Sequence, residues 1–300
     1  MAAPPPPPLG PFEPRLVRAR KRRARAGFAD AAFLHVRVAK DLADRLEAIP
    51  RPFPRALALG GCCLFSQVLQ NRPELAARIG HLVEADVAGG AVVLDPERLP
   101  FGDHTFDLIV SPLALHTVND LPGALVQLRR ALRPDGLLLA ALFGGDTLRE
   151  LRLSLLEAES EITGGAAMRV APFADLQDVA SLLQRAGFAL PAADRDVVAV
   201  RYGEPMRLLA DLRGMGETAA FEERAPRSLS RRILSRAFDV YRQRFSDADG
   251  RVRATFEILT ATGWAPHESQ QKPLKPGSAK VRLADALNTV EKPAGEKAGG

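Results

Sequence analysis

The spacing of apolar residues along this chain changes several times, and each change marks an element. Residues 106–111 (FDLIVS) and 136–143 (GLLLAALF) are short apolar runs without polar alternation, the pattern of parallel strands buried on both faces. Between them Leu121, Leu125, Leu128 and Leu132 recur at helical spacing over 120–132, and Pro134-Asp135-Gly136 punctuates the end. A crossover of this length joins the two strands into a βαβ unit. Gly144-Gly145-Asp146 then predicts a corner, and Thr147-x-x-Glu150 a capping box for the following helix.

The same reading predicts strands at 55–59, 81–86 and 91–94, and a helix over 65–77. Further on it predicts an amphipathic helix over 175–186, a strand at 197–202, helices near 205–212 and 229–245, and a last strand at 255–262. Helices inserted before a last strand have no place in the sheet, so residues 205–245 are expected to form a lid over the substrate side. Too few residues separate Asp86 from Ala91 for the dozen or so a parallel crossover needs. A helix is therefore missing there, and that edge of the sheet is expected to be short or irregular.

In this order FDLIVS, an LH element, VNDLPGAL, LRPDG and FGGDTLRELR (residues 143–152) resemble the class I S-adenosylmethionine-dependent methyltransferases. The likeness extends over roughly residues 11–287. It is narrower at FGGDTLRELR, LLQRAGF (182–188), DLRGMGET (211–218) and GWAPHESQQKPLKPGSAK (263–280). There the chain resembles a group containing a mitochondrial complex I assembly factor reported as an arginine hydroxylase, with the biotin-pathway malonyl-carrier-protein O-methyltransferases as cousins. The resemblance implies a Rossmann-like α/β fold, mostly parallel with an antiparallel last strand and a helical lid, and S-adenosylmethionine as cofactor. It implies methyl transfer to a small or carrier-bound acid as the leading activity, with a complex I assembly role as the alternative, either hydroxylating an arginine of a complex I subunit or holding a protein partner without catalysis.

It also assigns the site. Gly60 and Gly61 stand in the glycine turn after the first strand, where the backbone approaches the cofactor. Asp86, or with less support Glu84, matches the acid that receives the ribose hydroxyls. Asp95 matches the adenine-binding acid, and Ser111 completes the cofactor set. His116 stands near the reactive end of the cofactor, either as a general base or as a histidine that holds a loop together. The chain departs from the pattern at three places: Ala58 replaces the acid that orients the ammonium group, Cys62-Cys63 replace a glycine and its neighbour, and Pro96 follows Asp95. Proline has no N–H to give an adenine ring, so cofactor binding is expected to be weak or lost.

Composition narrows the rest. At 46% hydrophobic content, 300 residues supply a large core, yet no apolar run reaches the roughly 20 residues of a membrane span. Adjacent Cys62 and Cys63 cannot build a disulfide framework and lack metal-ligand spacing, so they read as small apolar fillers in a reducing compartment: a bacterial cytoplasm, or a mitochondrial matrix if the source is eukaryotic. Net charge is +5, concentrated in RLVRARKRRAR (15–25), but 6% aromatic content offers little for base stacking and argues against nucleic acid. That basic run reads as a solvated helix face docked on the core or guarding its entrance. Residues 1–10 and 288–300 are expected to be disordered. Asp146 either caps the helix after it or points into the cleft with Arg149 and Glu150. Trp264 and His267 read as packing and loop-fixing residues.

Overall fold

The computed structural model describes residues 10–61, 63–221 and 229–271. Most of the two expected disordered termini, Cys62 and the end of the 263–280 motif lie outside the described residues. Seven strands form one sheet: β1 (Phe53–Leu59), β2 (Ile79–Asp86), β3 (Val92–Val93), β4 (Phe106–Pro112), β5 (Leu132–Phe143), β6 (Ala189–Tyr202) and β7 (Val252–Trp264). Their order is β3-β2-β1-β4-β5-β7-β6. The first five run parallel, whereas β7 is antiparallel to both β5 and β6.

Alternation along the strands divides the core in two. Leu137, Leu139, Ala141 and Phe143 of β5 face one apolar layer, and Leu138, Ala140 and Leu142 face the other. The first layer is completed by α3 (Phe33–Glu47), α4 (Leu64–Gln70), α7 (Arg149–Thr163) and α10 (Arg231–Phe245). The second is completed by α6 (Leu121–Ala131) and α8 (Leu176–Arg185). The remaining helices are α1 (Pro14–Ala24), α2 (Phe28–Ala31), α5 (Pro73–Arg78) and α9 (Pro205–Gly214).

Several expectations are corrected. The helix over 65–77 is two helices, because Pro73 forces Arg72 out of the helical region (φ −138°, ψ 70°) and starts α5 itself. Pro134-Asp135-Gly136 is a bulge within β5 and not a break before it: pairing jumps from Phe106↔Leu132 to Leu108↔Leu137, with Asp135 at φ 62°. β6 begins eight residues earlier than expected, at Ala189, and its exposed edge carries the polar residues that hid it.

The capping box does not form. Leu148 is the N-cap of α7, with φ 57° and no side-chain hydrogen bond. β5 ends opposite Ile258, so residues 255–257 of β7 need other partners. Thr147 supplies them, its Oγ1 donating to Glu257 O and accepting from Glu257 N at 3.1 Å each. Glu150 accepts from the Thr255 N–H at 3.0 Å and its hydroxyl at 2.5 Å. Buried backbone groups of a strand outcompete a solvated cap.

At the other edge β3 is two residues long and pairs only with Ala85 and Asp86. The expected lid divides. α10 packs along α7 and β7 as part of the first layer, so it covers the sheet and not the strand ends. α9 and residues 215–221 reach α1, α2 and the loop after β4.

Residues through Pro266 form one compact unit. The described part of the next unit, residues 267–271, is a turn in which His267 Nδ1 meets Ser269 Oγ at 2.7 Å and Gln270 Oε1 accepts from His267 N. Asp146 is exposed, 3.8 Å from Arg149, and its N–H donates to buried Glu257.

Candidate functional site

The glycine turn after β1 has its own structural demands. Gly60 has φ 88°, and a Cβ there would stand 2.4 Å from the Ala114 Cβ. Only glycine lets the loop after β4 pass so close. Gly61 is also left-handed (φ 74°) and lies against Pro112. Asp86 is buried at the end of β2, where its Oδ1 accepts from Ala88 N at 2.9 Å. Asp95 accepts from Glu97 N at 3.0 Å and so fixes its own loop. Ser111 is fully buried, and its hydroxyl has no hydrogen-bond partner among the described residues.

Gly60, Asp86 and Asp95 line one cavity; Gly61, Ser111 and Ala58 do not line it. That cavity measures about 50 Å3, whereas small-molecule sites take about 300–1,000 Å3. The space is filled by α1, whose Pro14, Val17, Arg18 and Lys21 form the opposite wall. Pro96, next to Asp95 in this lining, has no backbone N–H to offer a ligand there.

A larger cavity of about 600 Å3 opens on the other side of α1. Its walls are mainly apolar, including Leu16, Leu151, Phe173 and Leu212, and its charged lining is Arg20, Lys21, Arg169, Arg213 and the carboxylate of Glu217. Glu217 follows Gly216, whose φ of 75° lets the Lys21 backbone approach within 3.1 Å of where a Cβ would be. The carboxylate is 7% exposed. Its Oε2 meets His116 Nε2 at 2.9 Å, and its Oε1 is bonded by Lys21 Nζ and lies 3.5 Å from His35 Nε2. The last distance makes an electrostatic contact and not a formed hydrogen bond. Burial pushes the Glu217 carboxyl up, but Lys21, His116 and His35 together overcome it and hold the group well below the usual carboxylate range. Burial also pushes the His35 imidazole down against the opposing pull of Glu217.

His116 itself is buried between the Phe143 ring at 4.7 Å and the Phe173 ring at 5.6 Å. An ionised Glu217 fixes the tautomer: Nε2 carries the proton and donates it, and Nδ1 is left as a bare acceptor with no partner among the described residues. A histidine held this way by a carboxylate can take a proton at Nδ1.

His116 was legible from sequence, but Glu217, His35 and Lys21 were not. The only signal for Glu217 was the narrow DLRGMGET motif, and for Lys21 its place in the basic run. The sequence shows no arrangement of two histidines and one carboxylate; the fold brings His35, His116 and Glu217 together. Each imidazole faces a separate oxygen of Glu217, and among the described residues no group of three or more His, Cys, Asp or Glu is placed to hold a metal ion. No helix among the described residues is long and apolar enough to cross a membrane.

Comparison with known proteins agrees with this architecture. A family model described as "Methyltransferase domain" matches residues 69–140. The mitochondrial arginine-hydroxylase NDUFAF5 of Homo sapiens is 42% identical over 268 residues, covering 84% of this chain and 76% of that protein. A malonyl-[acyl-carrier protein] O-methyltransferase of Halorhodospira halophila is 31% identical over 258 residues, covering 82% of this chain and 85% of that protein. The crystal structure of the Bacillus subtilis YcgJ protein matches with a TM-score of 0.50 at 15% identity, over 76% of this chain and 99% of that one, a likeness of fold alone.

Proposed function

This chain belongs to the class I methyltransferase superfamily, in the family that includes the arginine hydroxylase NDUFAF5, and we propose that it modifies an arginine side chain of a complex I subunit during assembly. The observation that carries this reading is the buried, ionised Glu217 in the lining of the 600 Å3 cavity, hydrogen-bonded to His116, which lines a separate cavity of about 290 Å3 and has a free acceptor among the described residues. A carboxylate is the natural receptor for a guanidinium, which it binds through two parallel hydrogen bonds. Lys21 Nζ already occupies that carboxylate from within the chain and marks where a substrate cation would sit. Placing one oxygen on the arginine side chain converts a C–H to a C–OH and takes a two-electron oxidant, for which dioxygen with a two-electron reductant as co-reactant would serve, the second oxygen leaving as water; His116 would hold the Glu217 carboxylate in position through its Nε2 hydrogen bond. By contrast, the cavity of about 50 Å3 beside Gly60, Asp86 and Asp95 speaks against methyl transfer as the main activity. S-adenosylmethionine, if used, is expected to bind weakly.

A second reading has one feature in its favour. Arg213 lines the same cavity and makes no ion pair among the described residues, which suits the free carboxylate of a small or carrier-bound acid. The two readings separate in a gene-deletion strain. Arginine modification predicts that mass spectrometry finds a complex I subunit with one oxygen on an arginine in the parent and not in the deletion. Acid methylation predicts no such change and a new requirement for biotin.

A further inference from the structure

Two charged residues of one turn, Arg213 and Glu217, line the large cavity. Arg213 lies in the last turn of α9 and Glu217 just past it. Glu217 N donates to Leu212 O at 2.8 Å and Gly216 N to Arg213 O at 3.2 Å, so the backbone of this turn holds the two residues in a set relation. Their surroundings differ. Glu217 is buried beside Lys21, His116 and His35. Arg213 is exposed and makes no ion pair among the described residues. Arg20, Lys21 and Arg169 line the same space; Arg169 is held by buried Glu159, and Lys21 by Glu217 itself. A substrate guanidinium that takes over Glu217 leaves Lys21 without its carboxylate, in a lining where Glu217 is the single acid among the described residues. Uncompensated like charges oppose such binding, and an anion carried in with the guanidinium removes that opposition. The mouth is apolar as well. Met168 and Leu229 line the cavity and are 51% and 36% exposed, the condition of side chains that a docking partner covers, and methionine adapts its shape to what it meets. A cavity of about 600 Å3 also lies within the range of whole small-molecule sites, about 300–1,000 Å3, so a guanidinium leaves space for its neighbours.

We infer that this cavity reads a short segment of a protein and not a lone side chain: an arginine at Glu217, apolar neighbours over Met168 and Leu229, and an aspartate or glutamate of the same segment at Arg213. Arg213 is then a specificity residue, which selects the substrate by a carboxylate near the arginine. The inference rests on the arginine reading for the residue at Glu217 and adds the requirement for its neighbours.

A positional scan on the full chain tests it. The probes are short synthetic peptides with one fixed arginine and aliphatic neighbours, each remaining position varied in turn, with affinity read by fluorescence anisotropy. At one flanking position aspartate or glutamate should bind at least tenfold tighter than asparagine, glutamine or lysine. Arg213→Glu should reverse that preference towards lysine, and Arg213→Lys should keep it, with arginine still required at the fixed position in both. The inference is overturned by the absence of peptide binding, by the absence of an acidic preference in the unaltered protein, or by its persistence in Arg213→Glu. A different result separates the underlying reading. If alanine replaces the fixed arginine without loss while Arg213→Glu still reverses the acidic preference, the arginine reading fails and Arg213 stands as a specificity residue.

Discussion

Glu217 is the residue on which most of the site depends. It is buried, and three cationic or N–H-bearing side chains from α1, α3 and the loop after β4 converge on it. Removing one partner of such a cluster leaves the others buried and unmatched, which costs about 3–5 kcal/mol. Glu217→Ala should lose that much stability in urea unfolding, and a loss under about 1 kcal/mol would show that the cluster is solvated. His35 adds a pH dependence. Its folded pKa lies below the ordinary 6.5, so the unfolded chain binds a proton that the folded chain refuses, and stability falls as pH drops below about 6.5 toward the folded value. Glu217, with its folded pKa depressed, adds a further loss only as pH falls below about 4.5. His35→Leu should therefore flatten the fall in Tm between about pH 6.5 and 5; an unchanged slope would contradict it. Of these residues only His116 could be read from the sequence, because it follows a recognisable strand. Glu217 lies 101 residues away from it, and no local pattern encodes that meeting.

The strands were easiest to recognise where burial on both faces leaves an unbroken apolar run, as in β4 and β5. They were hardest where the sequence pattern serves an edge: β6 carries Asp194, Arg195 and Asp196, and two of these acids pair with Arg45 and Arg37 of α3. The turn into α7 misled for a related reason, since Thr147 and Glu150 have the spacing of a cap but serve β7. That arrangement predicts a specific cost. Thr255→Val removes the hydroxyl donor to buried Glu150 and should cost about 1–3 kcal/mol, measured as a lower urea midpoint at unchanged slope. A neutral result would mean that water replaces the hydroxyl.

On the scale of the whole molecule, the parallel pairing of β4 and β5 was legible in the punctuation of its βαβ unit, and the antiparallel β7 was implied by the family resemblance. The basic run reads in the sequence as a helix docked on the core or guarding its entrance, and α1 lines two spaces on the ligand side; which spaces it separates depends on where it docks and has no local pattern. The strand ends present a nearly filled space at the glycine turn, an open one lined by Glu217 and a third of about 290 Å3 lined by His116. The account places the work of the protein in the second. Its most direct test is complementation of a deletion strain with the unaltered gene and with Glu217→Gln, with NADH oxidation by isolated membranes as the readout. The account predicts that the unaltered gene restores oxidation and that Glu217→Gln, present at equal level and folded, does not. Full restoration by Glu217→Gln, or normal oxidation in the deletion strain itself, would contradict it.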